Sequence, residues 1–254
     1  MRDPVREAQA FYGDKAEAYR ASAAHGNAAD LARMLALLGD VRGARAVDVG
    51  AGGGHTALAL ARAGARVVAM DVTRAMLVAT ADGAREAEVD LDVALGDASA
   101  LPFATGSLDV AATRIATHHF ADLGRFVEEA YRVLGPGGRF YAFDLASPPE
   151  AGAAATVNRI ETLRDPSHVW SWSRAAWAGA LEAAGFKAQT LSDGASELDL
   201  EAWLARARMP AGREAEVRAL LADHPPESLG GYGVVAPGRI RLLRVETLAV
   251  KPQG

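Results

Sequence analysis

The sequence predicts an α/β protein, with a doubly wound, mostly parallel seven-stranded sheet and a helical lid. Three observations carry the prediction. Residues 46–54 read Ala-Val-Asp-Val-Gly-Ala-Gly-Gly-Gly, a mostly apolar run that ends in glycines. Arg66-Val-Val-Ala-Met-Asp71 repeats the apolar run and closes on an acid. Further along, short apolar runs alternate with amphipathic stretches, the pattern of a parallel sheet covered by helices. A strand, a glycine turn, a helix and a second strand tipped by a carboxylate make a nucleotide-binding βαβ unit.

The apolar runs place strands near 45–49, 66–70, 91–95, 108–113, 138–144, 187–192 and 240–250. The stretches between them place helices near 53–63, 73–87, 122–134 and 174–184. Gly135-Pro-Gly-Gly138 punctuates the turn into the fifth strand. Ser173 can cap the last helix and Gly185 can end it in a left-handed turn. Around this core, residues 1–40 hold Phe11, Tyr12, Tyr19 and His25, then a helix from Asp30 to Leu38. Residues 146–235 hold an Ala-rich helical stretch at 151–155 and Trp170, Trp172, Trp177 and Trp203. Pro225-Pro226 through Gly230-Gly231 reads as a flexible connection into the last strand, 236–254. Open α/β sheets bind ligands at the carboxyl ends of their strands. The chain is therefore read as one domain: a cofactor-binding core at 41–145, a lid at 1–40 and substrate-covering insertions at 146–235.

The glycine loop narrows the ligand. A dinucleotide fingerprint needs Gly or Ala at the position His55 occupies. Asp48-x-Gly50-x-Gly52-x-Gly54 fits better, and a carboxylate beside the loop repels a pyrophosphate. The same charge suits a cofactor with an ammonium or sulfonium group, and S-adenosyl-L-methionine carries both. Asp71 is placed to accept hydrogen bonds from a ribose; the plainer alternative is a cap on the helix that begins near Thr73.

On these residues the chain resembles the class I S-adenosylmethionine-dependent methyltransferases, whose core is Rossmann-like. Val47-Asp-Val-Gly-Ala-Gly-Gly-Gly54 looks like the family's first motif, and Asp71, followed by Val72, matches its ribose-binding acid. Gly96-Asp97-Ala98 with Leu101-Pro-Phe103 looks like the third, with its acid at the adenine amino group. Ser107-Leu-Asp-Val110 and Arg132-Val-Leu-Gly-Pro-Gly-Gly-Arg-Phe140 resemble the fourth strand and the turn into the fifth. Within the class the chain is most similar to the ubiquinone/menaquinone-biosynthesis C-methyltransferase group, methyltransferase type 11, and its uncharacterised bacterial relatives. The resemblance implies that Asp48, Gly50, Ala51, Gly52, Asp71, Val72, Asp97, Ala98 and Arg114 hold the cofactor. Residues 158–168 and 203–210 look like a subgroup of those relatives, so the quinone acceptor is not carried over.

Composition sets outer bounds. The 254 residues are 50% hydrophobic and carry a net charge of −5, with a pI near 5.7. Such a balance opposes nucleic-acid or anionic-membrane binding and leaves a small molecule as the partner. A homodimer stays open. The chain has no cysteine, which excludes disulfides and thiolate chemistry and fits a cytoplasmic setting. No apolar run approaches the roughly 20 residues that span a bilayer.

Methyl transfer is an in-line displacement, and a weakly acidic acceptor also needs a general base. His118 and His119, just past the fourth strand, are the candidates, with His119 ahead; adjacent side chains rarely both face one pocket. Arg114 can meet the methionine carboxylate or take part in a structural ion pair. His168 and Trp170 are substrate-pocket candidates, although a loop-stabilising hydrogen bond also suits His168. Tyr12 and Tyr19, seven apart on a helix, form either a packing stripe or a cofactor-closing contact. Arg159 and Arg206 read as solvated surface charges. The rivals are a nicotinamide-dependent oxidoreductase, opposed by His55 and Asp48, and a non-catalytic cofactor-binding module. A nucleic-acid methyltransferase is opposed by the pI and by Thr113-Arg-Ile-Ala-Thr-His-His-Phe120, which lacks an Asn/Asp-Pro-Pro-aromatic run.

Overall fold

The computed structural model describes residues 3–13, 15, 16, 20 and 26–253; Tyr19 and His25 lie outside them. Its sheet is built from β1 (Arg45–Val49), β2 (Arg66–Asp71), β3 (Asp92–Leu95), β4 (Leu108–Arg114), β5 (Leu134–Leu145), β6 (Lys187–Asp199), β7 (Gly233–Ala236) and β8 (Arg239–Val250). The order is β3-β2-β1-β4-β5-β8-β6, with β7 added on β8. The first five strands run parallel and β8 runs antiparallel between β5 and β6. The order reverses between β1 and β4, so the ligand crevice of such a sheet opens there.

The helices are α1 (Pro4–Tyr12), α2 (Ala28–Leu38), α3 (His55–Arg62), α4 (Arg74–Glu86), α5 (Leu123–Val133), α6 (Ala151–Arg164), α7 (Arg174–Ala184), α8 (Leu200–Ala207) and α9 (Ala211–Asp223). The Ser173 hydroxyl caps α7 by accepting from the Ala176 N–H, and Gly185 ends it at φ 92°. Strand alternation sends side chains to two faces. Val47, Val49, Phe140 and Val245 pack with Phe126, Trp177 and Leu181 on the α5 and α7 side. Ala46, Val67, Val110 and Tyr141 pack with Met34, Leu38 and Leu60 on the α2 and α3 side.

The sheet departs from the expected seven strands. β7 is an eighth, and β6 runs to Asp199 rather than stopping near 192. Lys187–Asp199 is polar and largely exposed, so no apolar run announces it. Its length comes from main-chain pairing with β8 as far as Asp199 opposite Arg239. β5 likewise begins at Leu134 and takes in the Gly135-Pro-Gly-Gly138 segment. Residues 226–229, read as flexible connection, form a turn of 3₁₀ helix whose Leu229 is buried.

That Leu229 belongs to a third apolar cluster, with Ile160, Trp203, Leu204, Val217, Leu221, Tyr232 and Ile240. It joins α6, α8 and α9 to the far end of β8. The Arg164 guanidinium lies 4.6 Å from the centre of the Trp203 ring. No helix among the described residues is long and apolar enough to cross a membrane. Trp203→Ala should cost about 3–5 kcal/mol, the range for emptying a buried aromatic site. Urea unfolding measures this cost.

Candidate active site

A crevice of about 1010 Å³, counted to its open mouth, lies at the carboxyl ends of β1, β2 and β4. Gly50, Ala51, Gly52, Asp71, Val72, Asp97, Ala98, Arg114 and His119 line it, and Tyr12 closes it from α1. The loop after β1 is anchored by the Gly50 and Ala51 N–H groups, which donate to the Met70 carbonyl at 2.8 and 2.9 Å. Gly50 (φ 73°) is obligatory, because a Cβ there would sit 2.6 Å from the Ala116 methyl. A Cβ on Gly52 (φ 53°) would meet no protein atom within 4 Å. At that point the bare backbone faces the crevice.

Asp71, at the end of β2, is 9% exposed. Its Oδ2 accepts from the Gly52 N–H at 2.9 Å and its Oδ1 from the Thr73 N–H at 2.8 Å. Thr73, not Asp71, stands at the N-cap position of α4, where its side chain makes no capping hydrogen bond. Burial raises the Asp71 carboxyl above its ordinary value, against the backbone donors. The Thr73 hydroxyl and the Val72 N–H also face this carboxylate. Asp97 forms a tight turn, with Oδ1 accepting from the Ser99 N–H at 2.8 Å.

Asp48 is a correction. It is 1% exposed and absent from the crevice wall. Its Oδ2 accepts from the Ala57 N–H at 3.0 Å, in the first turn of α3. Burial pushes its carboxyl up to about 7, with the Arg114 charge and the Ala57 N–H opposing. A buried strand residue beneath a glycine loop meets the orphan N–H groups of the next helix sooner than it meets a ligand. Arg114 does reach the crevice. Its Nε donates to the Thr56 hydroxyl at 3.2 Å. Its Nη1 lies 3.9 Å from Asp30 Oδ2 and is buried without a hydrogen-bond partner among the described residues.

Beyond Arg114 the chain enters a strained turn. Ile115 is β-branched, yet sits at φ 56°, a conformation such residues rarely hold. Asp144, at the end of β5, fastens the residues after it. Its Oδ2 accepts from the Ala116 N–H at 3.1 Å, the Thr117 hydroxyl at 2.5 Å and the His118 N–H at 3.1 Å. Its Oδ1 meets His118 Nδ1 at 2.6 Å. Burial disfavours both charges, but the pair outweighs it: Asp144 is held well below the usual carboxylate range, and His118 is raised.

His118 and His119 therefore point differently. His118 is committed to Asp144 and is outside the crevice wall, so it is not placed to touch an acceptor. His119 is in the wall, its Nε2 2.8 Å from the Tyr12 hydroxyl and its Nδ1 3.1 Å from the Ser167 carbonyl. His168 is also a correction: it is 1% exposed, off the crevice wall, with Nε2 2.8 Å from the Asn158 amide oxygen. Trp170 is half-buried and off the wall too; its backbone N–H donates to the His118 carbonyl at 3.1 Å. Residues 167–171 brace the turn rather than enter the crevice. The sequence reading missed Ile115, Asp144 and Asp165. A strand-end acid, the signal that picked out Asp71, also marks Asp144 in Phe143-Asp-Leu145.

Comparison with known proteins agrees with this geometry. Residues 47–142 match the model of a methyltransferase domain. The chain is 32% identical to the uncharacterized methyltransferase YcgJ of Bacillus subtilis over 207 residues, 81% of this chain and 82% of the relative. The chain belongs to the methyltransferases. The crystal structure of YcgJ superimposes with a TM-score of 0.81, covering 91% of this chain and 100% of that one. A Bacillus halodurans protein superimposes equally well, at 30% identity, over 88% and 99% of the two chains. The demethylmenaquinone methyltransferase of Thermus thermophilus is 35% identical over 118 residues, but only 46% of this chain and 53% of that enzyme align. The quinone-type likeness thus ends with part of the chain.

Breaking a buried ion pair from one side costs about 3–5 kcal/mol, and Asp144→Asn should lose that much in urea unfolding. The sign with pH follows from the two shifts. The lowered Asp144 stabilises above its ordinary value of about 3.9, and the raised His118 stabilises fully below about 6.5. The difference between wild type and Asp144→Asn should be largest between those values. It should shrink as pH falls through the Asp144 value or rises through that of His118.

Proposed function

We propose that this methyltransferase takes its methyl group from S-adenosyl-L-methionine and passes it to a small molecule by in-line displacement. The observation that carries the reading is the crevice wall that Gly52, Asp71, Asp97 and Arg114 share at the carboxyl ends of the strands. Arg114 is a buried cation there, 3.9 Å from the Asp30 carboxylate, and suits a carboxylate ligand. The methionine end of the cofactor supplies one. Asp71 stands at the end of β2 to meet the ribose hydroxyls, the bare backbone of Gly52 admits close approach, and Asp97 and Ala98 suit the adenine. Bound there, the cofactor supplies an electrophilic methyl on a good leaving group.

The protein's own part is orientation and exclusion of water. A well-oriented pair of reactants gains roughly 7–11 kcal/mol over free encounter. We assign residues 1–40 to a lid, since α1 already walls the crevice and the Gln9 amide donates to the Val72 carbonyl at 2.9 Å. The insertions at 146–235, read from the sequence as covering the substrate, add no residue to the crevice wall; Asp165 and Ser167 reach it only through Tyr12 and His119. His119 is the base for an acceptor that must lose a proton. Burial and the His118 charge push it down to about 4, so it stands neutral at pH 7, ready to accept one. The absence of cysteine and the acidic balance favour a cytoplasmic enzyme without a nucleic-acid substrate.

Calorimetry should show S-adenosylmethionine and S-adenosylhomocysteine binding and NAD failing to bind; the reverse pattern would return the chain to the oxidoreductases. Asp71→Ala should weaken S-adenosylhomocysteine by roughly 1.5–3 kcal/mol, the value of hydrogen bonds to a charged group. Amide exchange in α1 should slow when S-adenosylhomocysteine is added, and equal exchange would remove the lid assignment. A screen of metabolite extracts with methyl-labelled cofactor identifies the acceptor. Binding without label transfer in any extract would leave a cofactor-binding module.

A further inference from the structure

The contacts of His119 do not balance when its protons are counted. The Tyr12 hydroxyl has one proton and, among the described residues, lies 2.8 Å from both His119 Nε2 and Asp165 Oδ2. His119 Nδ1 faces the Ser167 carbonyl at 3.1 Å and the Ser167 hydroxyl at 3.3 Å. That hydroxyl is already donated to Asp165 Oδ1 at 2.5 Å, and the Ser167 N–H donates to the same oxygen at 2.8 Å. A neutral imidazole has a single N–H. If it sits on Nδ1, the Ser167 carbonyl is served, but Tyr12 must choose between Nε2 and Asp165. If it sits on Nε2, Tyr12 can serve Asp165, but a bare Nδ1 faces a carbonyl oxygen.

One added proton resolves every contact. Nδ1–H then donates to the Ser167 carbonyl and Nε2–H to the Tyr12 oxygen, while Tyr12 donates to Asp165. This hydrogen-bond pattern matches a protonated His119 facing an ionised Asp165, the state that would follow an acceptor's loss of its proton, while burial and the His118 charge hold the ring neutral at rest. Complementarity to a late state, rather than to the resting one, is what accelerates a step. The Tyr12 oxygen also covers Nε2, so a proton arriving from the crevice meets Tyr12 first.

We propose that Tyr12 relays the acceptor's proton to His119, and that Asp165 and the Ser167 carbonyl position the ring to receive it, so that α1 completes the base on closing the crevice. This rests on the reading of His119 as the base. The acceptor's bond to hydrogen breaks as an O–H bond forms on Tyr12; the original Tyr12 proton crosses to Nε2, and the new one turns to Asp165. With the cofactor held by Gly52, Asp71, Asp97 and Arg114, the pair left on the acceptor would take up the methyl group, and the pair of the broken bond would stay on the cofactor's sulfur. The charged and titratable groups facing His119 are Tyr12 and Asp165, His118 at 4.0 Å between ring centres, Asp144 behind it, and His168, whose ring lies against that of His118.

The test uses the whole protein labelled with nitrogen-15 in histidine, at neutral pH and without cofactor, with His119→Gln to assign the signals. Tyr12→Phe keeps the ring and deletes the hydroxyl, so the Nε2 resonance should move toward an unbonded lone pair. Asp165→Asn replaces the competing carboxylate by a weaker amide acceptor, so the same resonance should move the opposite way. Shifts of opposite sign support the relay; no shift, or the same shift in both variants, overturns it, and circular dichroism confirms that each variant is folded. With the acceptor from the labelled screen, Tyr12→Phe should lower kcat at least tenfold with KM little changed. Full turnover by His119→Gln would end the base reading and the relay with it. An inactive His119→Gln beside an unmoved Nε2 signal in Tyr12→Phe would overturn the relay alone.

Discussion

The Asp144 carboxylate, buried at the tip of β5, is the constraint on which the site depends. It gathers the Ala116 and His118 N–H groups, the Thr117 hydroxyl and the His118 ring onto one pair of oxygens. Together with the Ile115 N–H, which donates to the Phe143 carbonyl at 2.7 Å, those bonds hold Ile115 at positive φ, since strain of this kind persists only where the surroundings over-determine it. Two consequences follow from the fixed turn. Ala116 comes so near the loop after β1 that only glycine fits at position 50. His119 is aimed into the crevice while its neighbour is aimed away. The cofactor loop and the candidate base are therefore parts of one packed unit.

Burial divides the acidic groups by task. Asp48, Asp71 and Asp144 all stand at strand ends, yet they answer to different partners. Asp48 serves the first turn of α3, Asp71 ties the glycine loop to β2 in the crevice wall, and Asp144 is spent on the turn and His118. Arg114 is the positive counterpart: burial lowers its pKa, while Asp48 and Asp30 hold its charge. Its guanidinium lies between an ion network beneath the sheet and the crevice above.

The family likeness follows the same division. The matched domain spans residues 47–142, which hold the glycine loop, Asp71, Asp97 and the turn of His119. Asp144, Asp165 and Tyr12 fall outside it. Cofactor chemistry is common to many methyltransferases and constrains the core. Tyr12 comes from α1 and Asp165 from the segment between α6 and α7, both outside that core, and one core can serve different substrates.

The sequence by itself determined the βαβ core. Apolar runs, glycines and strand-end acids act over a few residues, so β1, β2, β4, α5 and α7 were legible within one or two residues, as were the Ser173 cap and the Gly185 turn. It also marked Gly50, Gly52, Asp71, Asp97 and His119, each of which lines the crevice. Tertiary structure decided the rest. The full length of β6 and the presence of β7 come from pairing with β8, which a polar run cannot announce. The roles of Asp48, His118 and His168 were set by burial against partners 9, 26 and 10 residues away. Tyr12 meets His119 across 107 residues and Asp165 across 153. Local pattern reports which side chains have the chemistry; only packing brings groups so distant in sequence close enough to share a proton.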